Sequence, residues 1–251
     1  RFIKINNFLK ILGFCLKMVK LSVLVPVYNE ERTISKVVRN LKKIKGIEKE
    51  IIIVDDFSND GTRNILRRLN DKSIKVFYHD RNRGKGAAIR TALERSTGDI
   101  ISIQDADFEY NPKEIPKLLK SILEKKSDVV YGSRLMGKKL ILFGSKKTPL
   151  PLHWIGNKGL TFLTNLLYFT SITDMETGYN AFRKDGIKDI KLKSTRFDFE
   201  PEITAKILKK GYKILEIPIS FNPRTQKEGK KITWIDGLKA AYYLIKYRFL
   251  D

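Results

Sequence analysis

Apolar positions along this chain fall into two alternating patterns. Short unbroken apolar runs recur at "LSVLVPV" (Leu21–Val27), "EIIIVDD", "IKVFYH", "DIISIQ" and "DVVYGSR". Runs of this length, rich in β-branched residues, read as strands buried on both faces. Between them, apolar residues recur at helical spacing: Ile34, Val37, Val38 and Leu41 within Glu31–Lys43; Ile65, Leu66 and Leu69 after "SNDGT"; Ile89, Ala92 and Leu93 after "RGKGAA". Ile115, Leu118, Leu119, Ile122 and Leu123 mark one more helix before the run at "DVVYGSR". Strand and helix in alternation predict βαβ units, hence an α/β fold with a mostly parallel central sheet flanked by helices.

The second half is less regular. Lys138–Trp154, with Pro149 and Pro151, reads as a long loop, and "IGNKGLTFLTNLLYFTSI" as an apolar helix. "TGYNAFRK" and "YKILEIPISF" read as strands, Phe199–Lys210 as a helix, "NPRTQKEGKK" as a basic loop, and "WIDGLKAAYYLIKYRFL" as an amphipathic helix.

Composition adds a strong charge. The 251 residues carry a formal net charge of +22. Such a chain suits an anionic partner: nucleic acid, a lipid headgroup surface or a phosphorylated ligand. A lysine-rich genome or a hot habitat is the alternative source. One cysteine, Cys15, excludes an intrachain disulfide, and two histidines are too few for a His-based zinc site. No apolar run has the roughly 18 residues of a membrane-spanning helix. "MVKLSVLVPVYNE" reads as a natural start at Met18, which makes residues 1–17 an upstream extension or an amphipathic helix on a membrane or partner. That stretch lacks a small-residue cleavage site and does not read as a signal peptide.

In open α/β sheets ligands bind beyond the carboxyl ends of the strands. Here those places hold Tyr28, Asn29 and Glu30; Asp55 and Asp56; Arg83–Gly86; Asp105 and Asp107; Ser133 and Arg134. Asp105 and Asp107 lie two residues apart, about 6 to 7 Å along an extended strand. Two such carboxylates suit one Mg²⁺ or Mn²⁺, with Glu109 in register as a third oxygen ligand. The plain alternative is an acidic turn before the helix start at Asn111–Pro112. Asp55 and Asp56 are adjacent, so one is expected to reach a ligand and the other to cap the turn. "RNRGKGAA" places Gly84 and Gly86 at a sharp turn, with Lys85 and the first helical N–H groups facing an anion. It lacks the third glycine of a dinucleotide fingerprint.

Six segments in this order, "SVLVPVYNEERTI", "IIIVDDFSNDGT", "NRGKGAAIRTAL", "QDADFEYNP", "YGSR" and "DMETGYNAFRK", resemble family 2 glycosyltransferases. The closer likeness is to the branch of dolichyl-phosphate mannose synthase and polyprenyl-phosphate sugar transferases, over Lys20–Leu238. The resemblance implies a GT-A fold at 19–232, an extension at 1–18 and a C-terminal amphipathic helix at 233–251. It implies a GDP- or UDP-sugar donor, with Pro26, Tyr28, Glu30 and Asp56 at the nucleoside and Asp105, Asp107 and Glu109 at the metal and diphosphate. Arg224, Lys230 and Lys231 match a basic loop over the phosphates, and Arg134 an arginine that meets phosphate near the acceptor. The implied chemistry is inversion by direct displacement, onto a polyprenyl phosphate at the cytoplasmic membrane face. If the acceptor were a sugar hydroxyl of a growing glycan, a base would be required, and Asp174 and Glu176 are the candidates. Peripheral attachment through 160–172 and 234–250 would use the basic excess. The rivals are a sugar nucleotidyltransferase and a basic nucleic-acid-binding protein. The place after the first strand holds "YNEERT" rather than a glycine-rich triphosphate loop, and acids clustered at strand ends argue against nucleic acid.

Overall fold

The computed structural model describes residues 19–139, 141, 151–224 and 234–250. Seven strands form one sheet: β1 (Lys20–Val27), β2 (Glu48–Asp55), β3 (Ile74–Tyr78), β4 (Ile100–Ile103), β5 (Val129–Ser133), β6 (Asn180–Arg183) and β7 (Ile214–Pro218). Their order across the sheet is β3-β2-β1-β4-β6-β5-β7. All neighbouring pairs are parallel except those of β6, which runs antiparallel to both β4 and β5. The chain enters β6 at the edge where β4 and β5 end. Residues 174–178 therefore emerge beside Asp105 and Arg134 rather than on the far side of the sheet.

The period of two along each strand divides the core. Val23, Val25, Ile51 and Ile53 face one layer, made by α1 (Ile34–Lys42), α2 (Thr62–Arg67) and α4 (Ile115–Leu123). Leu24, Ile52, Val54 and Tyr131 face the other, where α3 (Lys85–Glu94) and α7 (Phe199–Lys209) pack. A short α6 (Lys184–Ile187) follows β6. Because both faces are covered, the strands read as continuous apolar runs, as the sequence predicts. A third cluster joins α5 (Pro151–Tyr168) to α8 (Trp234–Phe249) and α7 through Tyr168, Met175, Ala205, Leu244 and Tyr247.

Two expectations change. The stretch 138–154 is not wholly a loop, because α5 begins at Pro151; proline is well placed at a first helical position, where no N–H is needed. Asp105 and Asp107 do not continue a strand. β4 ends at Ile103, and Phe108 has φ +63°, so the chain turns and takes Glu109 out of register. Residues 1–18, with their expected extension or helix, and Lys230 and Lys231 lie outside the described residues.

Candidate active site

The carboxyl edge is tied together by short polar links. Asn29, itself at φ +53°, donates its N–H to Ser58 Oγ (2.9 Å) and accepts at Oδ1 from the Asn59 N–H (2.9 Å). The Glu30 N–H donates to Thr62 Oγ1 (2.8 Å). These bonds seat the "YNE" segment on the "SNDGT" turn. Asp55 closes that turn: it is fully buried, accepts from Ser58 N–H and pairs with Arg63 Nε at 2.6 Å.

Asp56 faces the cavity, but its oxygens already serve the "RNRG" turn. Oδ1 meets His79 Nδ1 (2.7 Å) and Arg83 N–H (2.8 Å), and Oδ2 accepts from Gly84 N–H (2.7 Å). Gly84 has φ +91°, and a Cβ there would lie 2.3 Å from the Thr195 carbonyl oxygen. The glycine thus serves a close approach of the 194–196 segment. The anion facing Lys85 is the protein's own: Nζ lies 2.9 Å from Asp105 Oδ1 and 2.8 Å from Glu200 Oε1. Gly178 lets them meet, since a Cβ there would come within 2.8 Å of Asp105 Oδ2 and 3.1 Å of Lys85 Nζ. Glu200 was not legible as a site residue; "FDFEPE" offers only an acid in a helix's first turn, which ordinarily faces water.

Arg224 reaches into the acids from the other side. Nη1 and Nη2 lie 3.1 Å from the two Glu30 oxygens, and Nη2 also 3.1 Å from Asp107 Oδ2. Its backbone N–H donates to Glu109 Oε1 at 2.7 Å. Asp107 Oδ1 meanwhile accepts from the Glu109 N–H (3.0 Å). Burial, and then the charges of Asp105 and Glu109, push the Asp107 carboxyl up to about 7 despite Arg224.

Arg134 and Asp174 form one unit. Asp174, fully buried, accepts from Arg134 Nε (2.8 Å), Nη2 (2.7 Å) and N–H (2.8 Å). Glu216 in turn accepts from the N–H groups of Thr173 (2.6 Å) and Asp174 (2.9 Å). With both oxygens committed to a guanidinium, Asp174 holds Arg134 in place and is not placed as a base. Glu176 differs: its Oε1 is buried without a hydrogen-bond partner, and burial followed by the Glu200 charge pushes its carboxyl up to about 8.

Pro26, Tyr28 and Asp56 line one cavity of about 1240 Å³ together with Asp105, Asp107 and Arg224; its acid-bearing part is termed the floor. The same cavity runs on between α5 and α8, past Leu152, Leu160, Leu163, Ile235 and Leu238. Oxygen donors suit a hard divalent cation, and the carboxylates outnumber the cations: the Lys85 and Arg224 contacts gather Asp105, Glu200, Glu30, Asp107 and Glu109 around two positive groups. In charge and donor type Asp105 and Asp107 therefore fit Mg²⁺ or Mn²⁺. The expected trio with Glu109 is not gathered. Among the described residues no three His, Cys, Asp or Glu side chains are grouped to hold a metal, since Lys85 and Arg224 draw the acids to opposite sides.

The family model described as Glycosyl transferase family 2 matches residues 22–191, more than half of the chain. The chain belongs to glycosyltransferase family 2. Two of its relatives carry dolichyl phosphate in their names, which fits the polyprenyl-phosphate sugar transferase branch of the family. The UDP-N-acetylglucosamine–dolichyl-phosphate N-acetylglucosaminyltransferase of Methanococcus voltae is 32% identical over 241 residues, 88% of this chain and 93% of that protein. The dolichol-phosphate mannosyltransferase of Pyrococcus furiosus is 28% identical over 91% of this chain, which spans 64% of that longer protein. An uncharacterized protein of Methanocaldococcus jannaschii is 35% identical over 89% of this chain and 90% of its own length. Among solved structures, glucosyl-3-phosphoglycerate synthase of Mycobacterium tuberculosis with Mn²⁺ and UDP-glucose superposes with a TM-score of 0.70 at 17% identity, over 96% of this chain and 83% of that one. The shared architecture is the GT-A fold. This family 2 enzyme is a glycosyltransferase, so the nucleotidyltransferase and nucleic-acid-binding alternatives give way.

Proposed function

We propose that this glycosyltransferase moves a sugar, with inversion, from a GDP- or UDP-linked donor to a polyprenyl phosphate, and that it requires Mg²⁺ or Mn²⁺. The observation that carries the reading is the continuity of the cavity: an acid- and arginine-lined floor opens into an apolar groove between α5 and α8. A lipid phosphate has both characters in one molecule. The names of the Methanococcus and Pyrococcus relatives support the same acceptor class.

In this reading Pro26, Tyr28 and Glu30 border the nucleoside, and Asp56 holds the turn that walls it. Asp105 and Asp107 would hold the divalent cation, which when bound would supply charge stabilisation to the departing diphosphate. Arg224 and Lys85 add positive charge beside these carboxylates. The acceptor phosphate oxygen attacks the anomeric carbon as the bond to the diphosphate breaks, and the nucleoside diphosphate leaves with the electron pair. Arg134, locked by Asp174, orients the acceptor phosphate.

A sugar hydroxyl acceptor would require a base. Glu176 is the available carboxyl, but at about 8 it keeps its proton at neutral pH. A phosphate oxygen is already anionic there and requires none. The face beyond the groove suits a membrane. Phe162, Leu166 and Phe169 on one side, and Leu238, Tyr242 and Phe249 on the other, are exposed. Lys158, Lys246 and Arg248 lie against aromatic rings in this region. Among the described residues no helix is long and apolar enough to cross a bilayer. Peripheral attachment at the cytoplasmic face fits these features.

The test is to incubate the protein with a panel of nucleotide sugars and polyprenyl phosphate, with Mn²⁺ or with chelator. Lipid-linked sugar that disappears with chelator and in Asp107→Ala is the expected result. Product formed only on free sugar hydroxyls, or undiminished in Asp107→Ala, would overturn the acceptor or the metal assignment respectively.

A further inference from the structure

The acids at the cavity floor already hold a cation of their own. The Arg224 guanidinium spans Glu30 and Asp107, at 3.1 Å to each, and its Nε lies 3.9 Å from Glu109 Oε1. Arg224 and these partners come from three segments that lie far apart in the chain, so the grouping is a product of the fold. Both Asp107 oxygens are engaged, one by Arg224 and one by the Glu109 N–H. A divalent ion that binds Asp107 must therefore compete with the guanidinium for Oδ2.

We infer that Arg224 is the counter-ion of these acids when no metal is bound, and that metal and donor enter by exchange with it. Asp107 would hold the metal, and the guanidinium it releases would turn to the donor's phosphates. This rests on the metal-dependent reading above. Two further observations support exchange rather than a permanent ion pair. The Arg224 Nε is buried with no hydrogen-bond partner, so the resting arrangement leaves a donor unmet that a phosphate oxygen can satisfy. The Arg224 backbone is pinned separately, by its N–H on Glu109 Oε1 at 2.7 Å. The side chain can then change partners while its root stays in place. A guanidinium presents its donors in a planar fork that fits phosphate as well as carboxylate, which suits it to such a change.

Exchange makes a specific thermodynamic demand. Without nucleotide, Arg224 opposes the metal; with nucleotide, it assists, so metal and nucleotide bind with positive coupling. The test measures Mn²⁺ binding directly, by electron spin resonance or calorimetry, in wild type and Arg224→Gln, alone and with UDP or GDP. Arg224→Gln should bind Mn²⁺ alone roughly ten-fold more tightly than wild type. It should also lose most of the rise in Mn²⁺ affinity that UDP or GDP produces in wild type. Equal or weaker Mn²⁺ affinity in Arg224→Gln without nucleotide overturns the exchange while leaving the metal assignment standing. Absence of Mn²⁺ binding to either protein, with or without nucleotide, overturns both and leaves Arg224 as the site's permanent cation. Should Arg224→Gln fail to fold by circular dichroism, Arg224→Lys serves. It keeps the charge but cannot span Glu30 and Asp107, and its Mn²⁺ affinity should still exceed wild type; affinity unchanged from wild type overturns the exchange.

Discussion

Gly178 has no side chain to contribute, yet three charged groups meet over it. Asp105 Oδ2, Lys85 Nζ and Glu200 Oε1 lie 2.8, 3.1 and 3.6 Å from the place a Cβ would take. Gly178→Ala should therefore push Asp105 and Lys85 apart, lowering turnover at least ten-fold with a near-native circular dichroism spectrum. An alanine variant with full activity would show that this ion pair does not shape the site. Glu176 makes the complementary case, a side chain whose environment opposes its charge. Its carboxyl lies at 4.5 in the open chain and about 8 in the fold, so the fold holds the proton longer. Stability should therefore fall as pH rises from about 4.5 to about 8. Glu176→Gln should remove this part of the slope, about 2 kcal/mol once partial contact with water is allowed for, read by urea unfolding at pH 5.5 and 8.5.

At the scale of elements, the two helices that flank the groove decide how the protein meets its surroundings. α8 buries Ala240, Leu244 and Tyr247 and presents Leu238, Tyr242 and Phe249 outward. Tyr168 donates its hydroxyl to the Leu244 carbonyl at 2.7 Å, fastening α5 to α8. Leu238→Glu with Tyr242→Glu should lower co-sedimentation with anionic vesicles several-fold and leave the thermal midpoint within a few degrees of wild type. Binding unchanged by the pair would move the membrane contact elsewhere. The strands and helices of the first half were legible because burial on both faces leaves unbroken runs such as "IIIV". The departures have local physical causes. A phenylalanine at φ +63° carries no sequence signal, so the turn at Phe108 is not legible there and the sequence suggests a strand register for Glu109 that the fold does not have. Arg224 could be assigned to the phosphates by resemblance, but its bond to Glu30, 194 positions away, depends on how the sheet is wound. Asp174 beside Glu176 looked like a pair of equivalent acids. Only the three contacts from Arg134 separate a clamp from a carboxyl left with an unmet oxygen.

Over the whole molecule, the chain carries a charge of +22 while the cavity floor gathers acids. Each Lys or Arg near an anionic bilayer contributes about 1 kcal/mol that salt screens. Vesicle association should weaken several-fold between 50 and 500 mM salt on the order of the Debye screening change, and be far weaker on neutral lipid; salt-independent binding would assign attachment to the apolar face alone. The winding of the sheet carries one more consequence, for the order in which the parts form. β1 and β2 pair residues 28 positions apart, Lys20 with Glu48. β4 and β6 join Ile100 to Arg183, and β5 and β7 join Val129 to Ile214, more than 80 positions apart in each case. Closing short loops first is entropically easier, so the end holding Pro26, Tyr28 and Asp56 is expected to rest on early, local contacts. The end holding Arg134, Asp174 and Glu200 waits for the long-range pairings of β6 and β7. A chain arrested on the way, whether on the ribosome or in mild denaturant, would own half of this cavity: the wall around Asp56 without the one around Arg134.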